Sequence, residues 1–164
     1  MQNSEIQSGV VPRLLQHSKK RLSRYGPLVL WAALIFIGST SLLSGSHTSA
    51  LVRPVLWLFP HASEATLALI HFIIRKCGHF AEYAVFASLA TRAFKTSSRD
   101  FLRDHWFVAS LLLVIVYSLS DEFHQSFVPS RAASIYDSII DSVGGLMALS
   151  LLAIRKRRQR SAKL

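Results

Sequence analysis

Four apolar runs alternate along the chain with polar or basic stretches: Pro27–Leu43, Thr66 to about Arg92, His105–Leu119 and Ala132–Ile154. They are long blocks rather than short amphipathic repeats, and a hydrocarbon layer about 30 Å thick takes about 20 helical residues to cross. The pattern therefore predicts an all-α, polytopic membrane protein, a four-transmembrane-helix bundle forming one domain. Between the first two runs, Val52, Val55, Leu56, Trp57 and Phe59 make an apolar patch broken by Pro54 and Pro60. That patch is too short and interrupted to cross, which predicts an interfacial or re-entrant segment on the outer face. The boundaries that follow are a polar basic tail over 1–24, a membrane domain over 25–154 and a basic tail over 155–164.

Charge refines this picture. A formal net charge of +10 admits a nucleic-acid binder, but the basic residues gather at the ends of the runs. "KKRLSR" (Lys19 to Arg24) precedes the first, Arg92, Lys95, Arg99 and Arg103 separate the second from the third, and "RKRRQR" (Arg155 to Arg160) follows the last. With four crossings all three clusters fall on one side, as cytoplasmic loops require. The charge is thus topological, and no nucleic-acid partner is expected, because no aromatic-interleaved basic face accompanies it. Both termini are expected in the cytoplasm and the protein in the bacterial inner membrane. Lys19 to Gly45 imitates a signal peptide, but its apolar run is long for one, which favours an uncleaved anchor. Cys77 is the single cysteine, which excludes an intrachain disulfide and a cysteine-based metal cage.

Depth and helical face select candidate functional residues. Counting from the basic ends places Lys76, His79, Glu82 and Tyr83 in the outer half of the second run, and Asp137 and Asp141 at similar depth in the fourth. The third run is short, so Asp121 and Glu122 of "SDEFHQSFVPSR" are drawn below the outer surface. Lys76, His79, Glu82 and Tyr83 share an arc of about 120°, with Arg75 and His71 beside them and Ile73, Cys77, Phe80 and Ala84 opposite. Charge at that depth needs a partner or a task. On the fourth run, Ser134, Asp137, Asp141, Gly144, Gly145 and Ala148 form a stripe of small and acidic residues suited to close helix approach. The Gly144/Gly145/Ala148 face is also a candidate contact for a second copy.

The segments "KCGHFAEYAVFASL" and "YSLSDEFHQSFVPSRAASIYDSIIDSVGG" resemble the VanZ-like family of small bacterial membrane proteins. The resemblance covers roughly Arg75 to Leu149 and singles out Lys76, His79, Tyr83, Asp121, Glu122, Gln125, Pro129, Arg131, Asp137 and Gly144. The chain departs from the family pattern where Ser130 replaces a usual Gly, Asp141 a usual Asn and Ala148 a frequent Gly. The family is named after a protein linked to resistance to the antibiotic teicoplanin. The resemblance therefore implies a cell-envelope role and, at its furthest, a link to glycopeptide resistance.

Several chemistries fit these residues. Lys76 and Arg131 suit the phosphate or carboxylate of an anionic or polar lipid headgroup or cell-wall precursor, with the acidic residues orienting them. This is the reading the residue types favour. A buried ion-pair network in a membrane scaffold or transporter subunit would use the same groups to fix helix register. A metal-dependent hydrolase is a third reading, since His79 and Glu82, or Asp121 and His124, share a helical face at ligand spacing. A phosphotransferase is a fourth, because "SRAASIYDSIID" has the form Ser-Arg-x5-Asp-x3-Asp, which resembles the Ser-Arg-x5-His-x3-Asp element of membrane phosphatidic-acid phosphatases, with Asp137 in place of the nucleophilic His and without their upstream Pro-Ser-Gly-His element. Whether any cofactor is used stays open. Trp31, Trp57 and Trp106 are expected to anchor the interfaces, and Tyr117 and Tyr136 to pack.

Overall fold

The computed structural model describes residues 2–40, 57, 62–129 and 133–162, with only the backbone for 2–17. Among these the chain is all-α, as expected: α1 (Gln2–Gly38), α2 (Glu64–Lys95), the short α3 (Asp100–Asp104), α4 (Trp106–Gln125) and α5 (Ile135–Ser161). The segment expected at the interface lies outside the described residues apart from the exposed Trp57.

The helix ends follow from local chemistry. Ser63 caps α2 by accepting from the Thr66 amide at 3.2 Å, and Glu64 in the first turn with Arg92 and Lys95 in the last complement the helix dipole. Ser134 caps α5 in the same way, with Asp137 in its first turn and Arg158 and Arg160 in its last. Inside α1, Pro27 has no amide hydrogen for the Ser23 carbonyl one turn back. The Arg92 guanidinium donates to that carbonyl at 3.3 Å, so the break in α1 becomes a tie to α2.

Helix direction alternates. Lys76 meets Asp137, and the backbone of Phe80 meets Gly144, while Lys95 and Lys156 meet over the Trp106 ring, so α2 and α5 run parallel. α4 runs the other way, bringing Val114 to Gly145 and Ser118 to Ser138. α1 opposes α2, with Tyr25 bonded to Ser97 at one end and Trp31 to the Glu82 carbonyl further along. The helices thus have one end rich in basic residues and another where the selected acidic groups collect.

Two of the four expected spans are met by length and composition among the described residues, α4 and α5. α2 is long enough, but Arg75, Lys76, Glu82, Arg92 and Lys95 dilute its apolar content. The apolar part of α1 ends its described course at Thr40, and the rest of that run lies outside the described residues.

Polarity is distributed inside out. Ser39, Ser110, Ser118, Asp121, Glu122, Gln125, Asp137, Ser138 and Asp141 are buried, whereas Leu30, Phe72, Ile73, Leu112, Val116, Ile139 and Leu151 are about half exposed or more. A water-facing surface seldom presents such rows of large apolar side chains, and a lipid-facing one requires them. Leu28, Ile35, Phe86, Ala87, Ala90, Val114 and Leu149 fill the space between the helices.

The glycines serve this interior. A Cβ on Gly144 would stand 2.4 Å from the Phe80 carbonyl oxygen, and one on Gly145 would stand 2.7 Å from Val114 Cγ1. Ala148 is packed against the same core. The face expected to meet a second copy is therefore occupied by α2 and α4 of its own chain. Its small residues permit close approach, as anticipated, but within the bundle.

Candidate functional site

Three helices carry the ionisable side chains to one end of the bundle, and a fourth supplies a donor. α4 continues through the whole of SDEFHQ, so this stretch is the last turn and a half of a helix rather than a polar loop. Asp121 and Gln125 then lie one turn apart, and Gln125 Nε2 donates to Asp121 Oδ2 at 3.0 Å. The other oxygen, Oδ1, accepts from the hydroxyl of Ser39, just past the end of α1. Ser39 was not singled out in the sequence; the signal for it was a hydroxyl one turn beyond buried Ile35, where an apolar run turns polar.

Glu122 reaches in the opposite direction. Its Oε2 accepts from the Ser134 amide at 2.8 Å, fixing the entry to α5 at the residue that caps it. Lys76 of α2 pairs with Asp137 of α5, their side chains 14% and 9% exposed. One turn inward, His79 Nδ1 lies 3.5 Å from Asp141 Oδ1, longer than a hydrogen bond. Asp141 is fully buried, and neither of its oxygens has a hydrogen-bond partner among the described residues. The Tyr83 hydroxyl, also fully buried, and Glu122 Oε1 share that condition.

Asp121, Asp137 and Asp141 lie within electrostatic range of Glu122, and Asp121 and Asp137 within range of Asp141. Glu82 and Asp121 act on Tyr83. The predicted groups Lys76, His79, Glu82, Tyr83, Asp121, Glu122, Gln125, Asp137 and Asp141 are thus brought together by the fold. Arg131 lies outside the described residues, and Pro129 is exposed at their edge.

Below this level, the hydroxyls of Ser118 and Ser138 each donate to the other's carbonyl, at 3.4 and 3.2 Å, clasping α4 to α5. Tyr117 donates to the Ala32 carbonyl at 2.6 Å, and its ring stacks on Phe86. The Trp31 indole donates to the Glu82 carbonyl at 3.0 Å, midway along α2. Tyr136 is 73% exposed. The ligand pairs considered for a metal are arranged differently, since His79 turns to Asp141 and His124 packs against the Phe36 ring at a tilt, with ring centroids 4.5 Å apart. Among the described residues no three His, Cys, Asp or Glu side chains are grouped to hold a metal ion.

An all-helical bundle with apolar outer faces and a buried polar cluster near one end defines a small integral membrane protein. The family model described as VanZ/LLP1 matches residues 25–156, and the chain belongs to the VanZ-like family. No curated protein and no solved structure matches it.

Proposed function

We propose that this protein is a four-span protein of the bacterial inner membrane, with both termini cytoplasmic, whose polar cluster faces the outer leaflet and binds the headgroup of a lipid or cell-wall precursor. The alternating helix directions support four crossings, and the basic end suits the cytoplasmic side. The observation that carries the binding reading is the set of buried acceptors without hydrogen-bond donors, Asp141 Oδ2 and Glu122 Oε1, with Asp141 Oδ1 facing only the His79 imidazole at 3.5 Å, beside the Lys76 ammonium. A buried acceptor left unmade costs about 1–3 kcal/mol, which a ligand's hydroxyl or ammonium groups would recover. The ligand so favoured carries both kinds of group, a phosphate for Lys76 and Arg131 and hydrogen donors for Glu122 and Asp141. A bare anion suits the cluster poorly, because carboxylates outnumber cations there.

A purely structural network is the second reading, favoured by the Lys76–Asp137 pair that ties α2 to α5. Thermal unfolding of the purified chain with and without phosphatidylethanolamine or a polyprenyl-linked disaccharide-pentapeptide separates the two. Binding predicts a rise in melting temperature for the wild type that Asp141→Asn loses while still accumulating in the membrane. No rise with either lipid, or an equal rise in the variant, leaves the structural network. The link to teicoplanin resistance belongs to the same reading, through altered access to envelope precursors. It predicts that expression in a susceptible host raises the inhibitory concentration and that Asp141→Asn does not.

A further inference from the structure

The opposite end of the bundle holds a second arrangement that the polar cluster does not explain. A cavity of about 410 Å³ opens between the start of α4 and the last turns of α5, lined by Trp106, Phe107, Ala153, Lys156, Arg157 and Arg160. Its floor is apolar and its rim cationic. Lys95 Nζ sits 3.8 Å from the Trp106 ring centroid and Lys156 Nζ 5.6 Å from it, so two ammonium groups share one nearly buried indole. Like charges so placed repel. Burial, and after it the Lys156 ammonium, hold the Lys95 pKa below the usual lysine value.

Nothing in the chain relieves this among the described residues. Lys95, Lys156, Arg157 and Arg160 form no ion pair there, and the nearest acidic residues in sequence, Asp100 and Asp104, are engaged by Arg103. Lys95 and Lys156 converge on an aromatic wall, and Arg157 and Arg160 line the same concave surface. Just beyond the cavity the outer faces turn apolar, with Val108, Leu151 and Ile154 exposed. A ligand here meets positive charge at one end and hydrocarbon at the other.

We propose that this cavity binds the phosphate-bearing headgroup of an anionic membrane lipid, with Arg157, Arg160 and Lys156 on the phosphate and the acyl chains against the exposed faces of α4 and α5. Arginine forks match phosphate oxygens, and basic pockets between membrane helices suit anionic headgroups. The site is distinct from the polar cluster in position and in charge, since it lies at the opposite end of the bundle and is lined by cations rather than carboxylates. A second basic cavity of about 420 Å³, lined by Lys19, Lys20, Ser23, Arg24, Arg92 and Thr96, supplies an internal comparison. It has no aromatic wall, and its Arg92 is already committed to the Ser23 carbonyl.

The test uses the full chain in a neutral detergent, with native mass spectrometry reading the binding of short-chain phosphatidylglycerol against phosphatidylcholine of equal chain length. Phosphatidylglycerol is expected to bind about tenfold more tightly. Arg157→Gln with Arg160→Gln should bring it down to the phosphatidylcholine level at unchanged helix content, while Lys19→Gln with Lys20→Gln should leave the preference intact. Equal affinity for the two lipids overturns the proposal, as does an undiminished preference in the Arg157/Arg160 variant or its loss in the Lys19/Lys20 variant. Inorganic phosphate displacing phosphatidylglycerol at equal concentration assigns the cavity to a free anion and overturns the lipid. Both arginines are exposed, so none of these outcomes depends on whether the variants fold.

Discussion

At the scale of single residues, the Lys76–Asp137 pair links sequence chemistry to helix packing most directly. Both side chains are largely shielded, so neither charge can be removed alone without stranding the other. Breaking a buried pair at one partner costs about 3–5 kcal/mol, whereas replacing both is close to neutral. Lys76→Met is therefore expected to lower stability by about 3 kcal/mol, and Lys76→Met with Asp137→Leu to restore most of the loss. Denaturation in dodecyl sulfate, read by circular dichroism, measures the cycle; additive losses would show that the pair contributes no coupling. Ser39 provides a second case. Ser39→Ala takes a donor from buried Asp121 and should cost about 1–2 kcal/mol, while exposed Ser120, bonded only to its own helix, should tolerate alanine within about 0.5 kcal/mol.

Most of these residues were legible in the sequence because expense in lipid marks them. Lys76, His79, Asp121, Asp137 and Asp141 stand out by charge, and counting helical rise brought them to one level. Ser39 and the Ser118–Ser138 clasp did not stand out, since a serine in an apolar run is cheap and its partner is set only by packing. The partner of Trp31 was hidden for a related reason: its position in the run gives depth, but not which neighbour holds a carbonyl toward it.

At the scale of elements, the crossing of α2 and α5 depends on what Gly144 lacks. A Cβ there would meet a backbone carbonyl, which cannot rotate away as a side chain can, so the helices themselves must separate. Gly144→Ala is expected to destabilise by about 1–3 kcal/mol despite alanine's better helix propensity. Gly78, on the exposed side of α2, has nothing within 4 Å of where its Cβ would stand. Gly78→Ala should leave stability unchanged or raise it by up to about 1 kcal/mol. Opposite signs in one thermal assay would locate the effect in the crossing; equal signs would assign it to helix propensity alone. The helices themselves were readable from the apolar runs, but their ends were less so. α4 outruns its apolar stretch by six residues, from Leu119 to Gln125, because Asp121 and Glu122 find partners outside the helix in Ser39 and Ser134, Gln125 bonds back to Asp121, and their polarity does not end the helix.

At the scale of the whole molecule, the question is which side of the membrane each end occupies. Helix direction alternates, and Ser23, Arg92, Lys95, Trp106 and Lys156 share one end, so any orientation that places one there places all of them. Four crossings then require residue 18 and residue 161 on the same side as the turn near Ser98, with Ser63 opposite. The lone cysteine makes this measurable, because replacing Cys77 leaves a background free of thiols. In Cys77→Ser, a membrane-impermeant maleimide applied to intact cells is expected to label Ser63→Cys and to spare Ser18→Cys, Ser98→Cys and Ser161→Cys until the cells are opened. Labelling of Ser18→Cys but not Ser161→Cys would mean an odd number of crossings, with α1 failing to span. That failure is physically specific: the described apolar part of α1 is short, and it crosses only if the run continues as helix to Leu43. Because Ser39 sits beside Asp121, the same result would place the polar cluster at a surface rather than within the bilayer, and its carboxylates would then be solvated groups instead of a headgroup site.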